Sequence, residues 1–174
     1  HNQAVLIENL ESYNRQENLI VQGLPLTFAQ AAASNVGAFG SHDGDREHSS
    51  DTEQKFLQFC HAELGIDIKT TDISICHRLP KHEKQQYPPV IVRFTNRKSR
   101  EMVLSARKKL RNADSKVFIN EHLTRATSTL FSNARKLARD KKVSKVWTKN
   151  GRVLIKTLEG TISRINSQGD LDNY

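Results

Sequence analysis

Residues 10–25 read LESYNRQENLIVQGLP, and the passage from helix to strand inside them sets the frame for the rest of the chain. The first half continues an apolar spacing of Leu6, Leu10 and Tyr13, at i, i+4 and i+7, which predicts a helix over residues 3–14. So narrow a seam fits either the last heptads of a coiled coil or a single amphipathic helix capping a domain. The second half, NLIVQG at 18–23, is a short apolar run closed by Gly23, Leu24 and Pro25, and predicts a buried strand.

Outward from that strand, residues 26–50 (LTFAQAAASNVGAFGSHDGDREHSS) show no periodicity and predict a flexible insertion. Asp51 is expected to cap a helix over 52–64, with Phe56, Leu57, Cys60 and Leu64 on one stripe and Gly65 as its stop. DISICHRL (72–79) alternates as a strand with Ile73 and Ile75 inward, followed by a basic loop holding Pro80, Pro88 and Pro89. VIVRF (90–94) is a strand with Val90, Val92 and Phe94 on one face. A helix over 97–110 presents Met102, Val103, Ala106 and Leu110, and KVFIN (116–120) closes the unit. The class is α+β. Over residues 17–121 the order βαββαβ is the ferredoxin-like pattern shared by RNA-recognition motifs.

A small α+β unit over 122–165 follows. Thr124 suits the N-cap of a helix over 125–141 whose inward residues are Leu130, Phe131, Ala134, Leu137 and Ala138. In SKVWTKNGRVLIKT (144–157) the pair Asn150-Gly151 predicts a two-residue type I′ hairpin turn. That turn sets Lys149 opposite Arg152, Thr148 opposite Val153, Trp147 opposite Leu154 and Val146 opposite Ile155. A third strand is expected through 161–165, and the polar residues 166–174 are expected to fray.

Charge is distributed in a block. Residues 91–156 carry 19 Lys+Arg against 4 Asp+Glu, whereas residues 1–90 carry 7 against 12. A block of that size on a folded domain usually meets phosphate. No apolar run approaches twenty residues, so no membrane span is expected, and residues 1–10 hold Glu8 and no secretory apolar core. A start at His1 points to a piece of a longer protein. Two cysteines, Cys60 and Cys76, make no disulfide framework and suit a reducing, intracellular setting.

The predicted register gives the hairpin two unlike faces. Val146, Thr148, Val153 and Ile155 suit packing on the helix; Lys145, Trp147, Lys149, Arg152, Leu154 and Lys156 share the other face. A lone Trp among four cations can stack a base and hold phosphates, although Trp147 and Leu154 could equally fill a second small core with the lysines snorkelling around it. On the helical wheel Arg100, Arg107 and Arg111 lie beside the apolar stripe of one basic helix and Arg135, Arg139 and Lys142 beside that of the other, so each row is expected to face solvent and contact phosphate while its helix stays anchored. On the larger sheet, Ile20, Pro89 and Ile91 occupy positions where RNA-recognition motifs stack aromatics, so Arg78 and Arg93 are expected to grip backbone with weak sequence preference. Cys60-His61 and Cys76-His77 lack the spacing of a metal site. With no Gly-rich phosphate loop, nucleophile elbow or framed carboxylate pair, neither catalysis nor a cofactor is expected.

Four segments together resemble the nucleic-acid-binding protein of the first open reading frame of LINE-type non-LTR retrotransposons. These are residues 10–25, ICHRLP (75–80), PPVIVRF (88–94) with RKSREMVLSARKKL (97–110), and residues 117–157. The last is also similar to the C-terminal domain of baculovirus few-polyhedra proteins. The resemblance implies self-association through an upstream coiled coil, a trimer in the vertebrate elements. It further implies single-stranded RNA binding and chaperone activity in a cytoplasmic ribonucleoprotein particle or the nucleus, beside a separate reverse transcriptase. By position it assigns the strand arginines to Arg78 and Arg93 and the helix Ala-Arg to Ala106-Arg107; the 25-residue insertion departs from the family's shorter loop. A structural or protein-interaction module of a viral or domesticated relative is the alternative, and an accessory domain that positions a neighbouring enzyme is a third.

Overall fold

The computed structural model describes residues 2–26 and 47–174. The chain divides into two compact units, residues 17–120 and residues 1–16 with 121–174. Most of the insertion expected at 26–50 lies outside the described residues. Among the described residues no helix is long and apolar enough to cross a membrane.

The first unit is built on β1 (Asn18–Gln22), β2 (Ile73–Arg78), β3 (Val90–Phe94) and β4 (Phe118–Glu121), in sheet order β2-β3-β1-β4. Strand β3 runs antiparallel to both β1 and β2. Leu19, Val21, Val90, Val92, Phe94 and Ile119 point to one face, because alternate residues of a strand share a side. Against that face pack α2 (Ser49–Phe59) through Phe56 and Phe59, and α3 (Arg97–Ala106) through Val103. A short helix α4 (Lys108–Asn112) adds Leu110. The mixed α+β class and its antiparallel sheet are those expected.

Five local expectations change. Helix α2 begins at Ser49, with His48 rather than Asp51 at the cap position and no side-chain cap bond; Asp51 lies in the first turn, where its charge suits the helix dipole. Its last turn, Cys60–Leu64, widens to π geometry before Gly65 stops it at φ 63°. In β2 the register shifts between Ile73 and Ile75, so Ile75 is 45% exposed and Cys76 turns inward instead. Of the stripe expected over 97–110, Val103, Ala106 and Leu110 pack on the core, but Met102 is 44% exposed and Ser99 and Arg100 face in beside Val103. The helix also breaks at Arg107, so α3 and α4 replace the single helix expected over 97–110. Burial pushes both thiols, Cys60 and Cys76, up to about 12, which keeps them protonated core groups.

The second unit comprises α1 (Asn2–Arg15), α5 (Arg125–Arg139), the sheet β5 (Lys145–Lys149), β6 (Arg152–Lys156) and β7 (Ile162–Ile165), and α6 (Gln168–Leu171). Thr124 caps α5, its hydroxyl accepting from Thr127 N–H at 3.1 Å. Ala134, Val143, Val153, Ile155, Ile165 and Leu171 form the core, with Leu130, Phe131, Leu137, Ala138 and Val146 packed around it. Residues 166–174 are folded, contrary to expectation. Ser167 and Asp170 form a reciprocal capping box, and α6 drives Leu171 into the core. Helix α1 lies on this unit by a polar stripe: Glu8 accepts from the Thr124 and Thr127 hydroxyls, and Arg15 donates to Leu123 C=O at 2.8 Å. Its apolar residues Val5, Leu6, Ile7, Leu10 and Tyr13 are all exposed.

Candidate nucleic-acid interface

The hairpin β5–β6 has the register that the Asn150-Gly151 turn dictates. Asn150 (φ 51°) and Gly151 (φ 70°) both take the left-handed conformation that a type I′ turn requires. Lys145 pairs with Lys156, Val146 with Ile155, Trp147 with Leu154, Thr148 with Val153 and Lys149 with Arg152. Val153 and Ile155 are buried. The opposite face is therefore the one carrying the cations.

β7 extends that face. Arg164 pairs with Leu154 and Ile162 with Lys156, which gives three rows across the sheet: Lys145, Lys156 and Ile162; Trp147, Leu154 and Arg164; Lys149 and Arg152. Trp147 and Leu154 are half-buried, while the five cations are exposed and none is ion-paired among the described residues. Lys145 Nζ sits 5.9 Å from the Trp147 ring centroid, within the range of a cation–π contact. Like charges directly opposite one another on a sheet are destabilising, and here two such pairs, Lys145/Lys156 and Lys149/Arg152, bracket the chain's only Trp.

Helix α5 contributes further exposed cations to the same unit. Arg135 lies over the Phe131 ring at 5.7 Å, one turn away, and Arg139 and Lys142 are exposed near the helix end.

The arginines expected on the first unit are largely committed to the fold. Arg78 donates to Glu47 Oε2 at 2.6 Å and to the carbonyls of Leu24 at 2.7 Å, Pro25 at 2.7 Å and Pro88 at 3.0 Å. With its side chain 9% exposed it is an internal clamp, not an outward grip. Arg93 is on the open side but faces Glu17 at 3.4 Å. Arg100, expected beside the stripe, is 3% exposed, because it lies one turn before Val103 on the buried side of α3. Arg107 is half-buried and donates to Ile119 C=O at 3.1 Å. Arg111 is exposed on α4.

Two residues went unnoticed in the sequence. Arg164 completes the cationic face, and its place follows once β7 is paired with β6. Phe118, 61% exposed on β4, is an aromatic on the face of the four-stranded sheet away from its helices; the alternation of KVFIN around buried Val117 and Ile119 signals it. Among the described residues no group of three His, Cys, Asp or Glu could hold a metal ion.

Residues 124–174, from the cap of α5 to the end of the chain, match the family described as baculovirus FP protein domain 2. No sequence among the curated proteins compared with the chain matches it.

Proposed function

We propose that this chain is a non-catalytic binder of single-stranded nucleic acid, RNA above all, that draws its affinity from phosphate neutralisation on the β5–β6–β7 face. The observation that carries this is the pair of like-charge cross-strand positions around Trp147. Like charges directly opposite one another cost a sheet stability, and a polyanion laid across these four cations would relieve that repulsion. The resemblance of residues 10–25, 75–80 and 88–110 to LINE-type first-open-reading-frame proteins extends the proposal. On it, the chain self-associates through α1 and acts as a nucleic-acid chaperone in a retrotransposon ribonucleoprotein particle that serves a separate reverse transcriptase.

Fluorescence anisotropy of the full chain with single- and double-stranded oligonucleotides across a salt series tests this. If roughly five phosphates are neutralised, the log–log slope for single strands should be on the order of −3 or steeper. A second reading, a structural module of a viral relative, is favoured by the match of residues 124–174 to the baculovirus FP domain. Absence of binding at low salt would select it.

A further inference from the structure

The rows of the three-stranded sheet enclose a small apolar floor. Trp147 and Leu154 lie side by side in the middle row, with Lys145 and Lys156 at one end, Lys149 and Arg152 at the other, and Arg164 on a third side. The two cation pairs lie four residue steps apart along each strand, about 13 Å at the rise of an extended chain. That is the reach of two extended nucleotide steps, and the floor falls halfway between them. The floor itself is one indole and one leucine wide. It is sized for a single flat ring, and stacking on an indole and a leucine tolerates any base because every base has a π-face.

We propose that this floor is a cradle for one unpaired base, with the strand's flanking phosphates held by the two cation pairs and Lys145 serving as a movable cap. In the free protein the Lys145 ammonium covers the Trp147 ring at 5.9 Å. An incoming base takes that ring face, and the ammonium moves onto the phosphate beside it, so one side chain exchanges a cation–π contact for an ion pair. The inference rests on the nucleic-acid reading above and narrows it. A base held in a duplex is stacked on its neighbours and cannot lie on the floor, so duplex is bound only through its phosphates. Such a cradle favours strands with exposed bases whatever their sequence.

Trp147 fluorescence of the full chain separates these possibilities, since it is the chain's only Trp. Four probes are titrated at low salt: an oligouridylate, the same length of abasic strand, a blunt duplex and AMP. The three polymers should all bind by anisotropy, but only the oligouridylate should quench Trp147 deeply. Equal quenching by the abasic strand or the duplex, or binding of the oligouridylate without any change in emission, would overturn the cradle while leaving nucleic-acid binding intact. Saturable quenching by AMP alone would overturn it in favour of a free-nucleotide site. If none of the polymers binds, the broader reading fails first. The capping role has its own measurement. Lys145→Met should preserve the quench and flatten the single-strand salt slope by about 0.7, the contribution of one phosphate; an unchanged slope would mean that Lys145 stays on the ring.

Discussion

The cations expected at an interface are used differently in the two units, with Arg111 on α4 the exposed exception in the first. Around the four-stranded sheet, Arg78, Arg100 and Arg107 are drawn inward or onto backbone carbonyls, and Arg93 faces Glu17. On the three-stranded sheet, Lys145, Lys149, Arg152, Lys156 and Arg164 are exposed, and none is ion-paired among the described residues. Net charge alone does not separate the two. A guanidinium with five donors in a planar fork can serve as internal glue wherever carbonyls converge, so an arginine in a basic block marks a binding surface only if nothing in the fold consumes its donors. The contrast moves the weight of the candidate interface from the larger sheet to the smaller one.

The largest effect should come from the clamp. Arg78 gathers Leu24 and Pro25, just before the segment 27–46, and Glu47, just after it; Lys55 adds a bond to Leu26 C=O at 2.9 Å. Its partner Glu47 has a side chain 0% exposed. Arg78→Ala leaves that carboxylate without its guanidinium, and breaking such a buried pair costs about 3–5 kcal/mol. Chemical denaturation should show the loss, while the folded fraction keeps its affinity for single strands. An affinity loss at unchanged stability would return Arg78 to the interface and erase the contrast.

Next in size is Trp147→Ala. The register places the ring on the cationic face, and the substitution leaves every Lys and Arg in place. Affinity for single strands should fall by about 1–3 kcal/mol, the usual value of one base–aromatic stack, with a nearly constant salt slope. A drop in melting temperature at constant affinity would make Trp147 and Leu154 a second small core.

Arg107→Ala follows. The bond to Ile119 C=O ties the break between α3 and α4 to β4. Its loss should cost about 0.5–1.5 kcal/mol of stability, as for one hydrogen bond. This reverses the expectation from the helical wheel, which made Arg107 a solvent-facing phosphate contact. Thermal melts beside binding isotherms decide between the two.

What could be read without coordinates follows from how local each determinant is. The hairpin register was legible to the residue, since Asn150-Gly151 permits one turn and the two-residue period of a strand does the rest. The cap Thr124 is likewise local, accepting from the backbone N–H three residues on. Folding of the last residues was missed: the Ser167/Asp170 box ahead of Leu171 is a local signal, but the polar composition pointed to fraying. The inner face of β2 was not. The shift between Ile73 and Ile75 depends on how β2 pairs with β3, and nothing in ISICHR marks it. Nor could the fate of Arg78 be seen, because its acceptors lie 10 to 54 residues away and meet only in the fold. Charge is visible in a sequence; the group that neutralises it is often remote.

The smallest effect in stability gives the sharpest test of the contrast, because stability and affinity should move in opposite directions. Arg152 stands directly opposite Lys149 at the turn end of the hairpin, both exposed. Arg152→Glu turns a repulsive cross-strand pair into an attractive one, and such pairs are worth roughly 0.2–1 kcal/mol. The melting temperature should rise slightly. Affinity for single strands should fall, and the salt slope should flatten, because the carboxylate removes one phosphate partner and occupies Lys149 as well. A gain in stability with unchanged binding would mean that the like-charge pair is an unselected surface accident. A loss of stability would mean that Arg152 has a packing role on β6. Only the opposed signs fit a surface that carries repulsion in the free protein and is relieved by a polyanion.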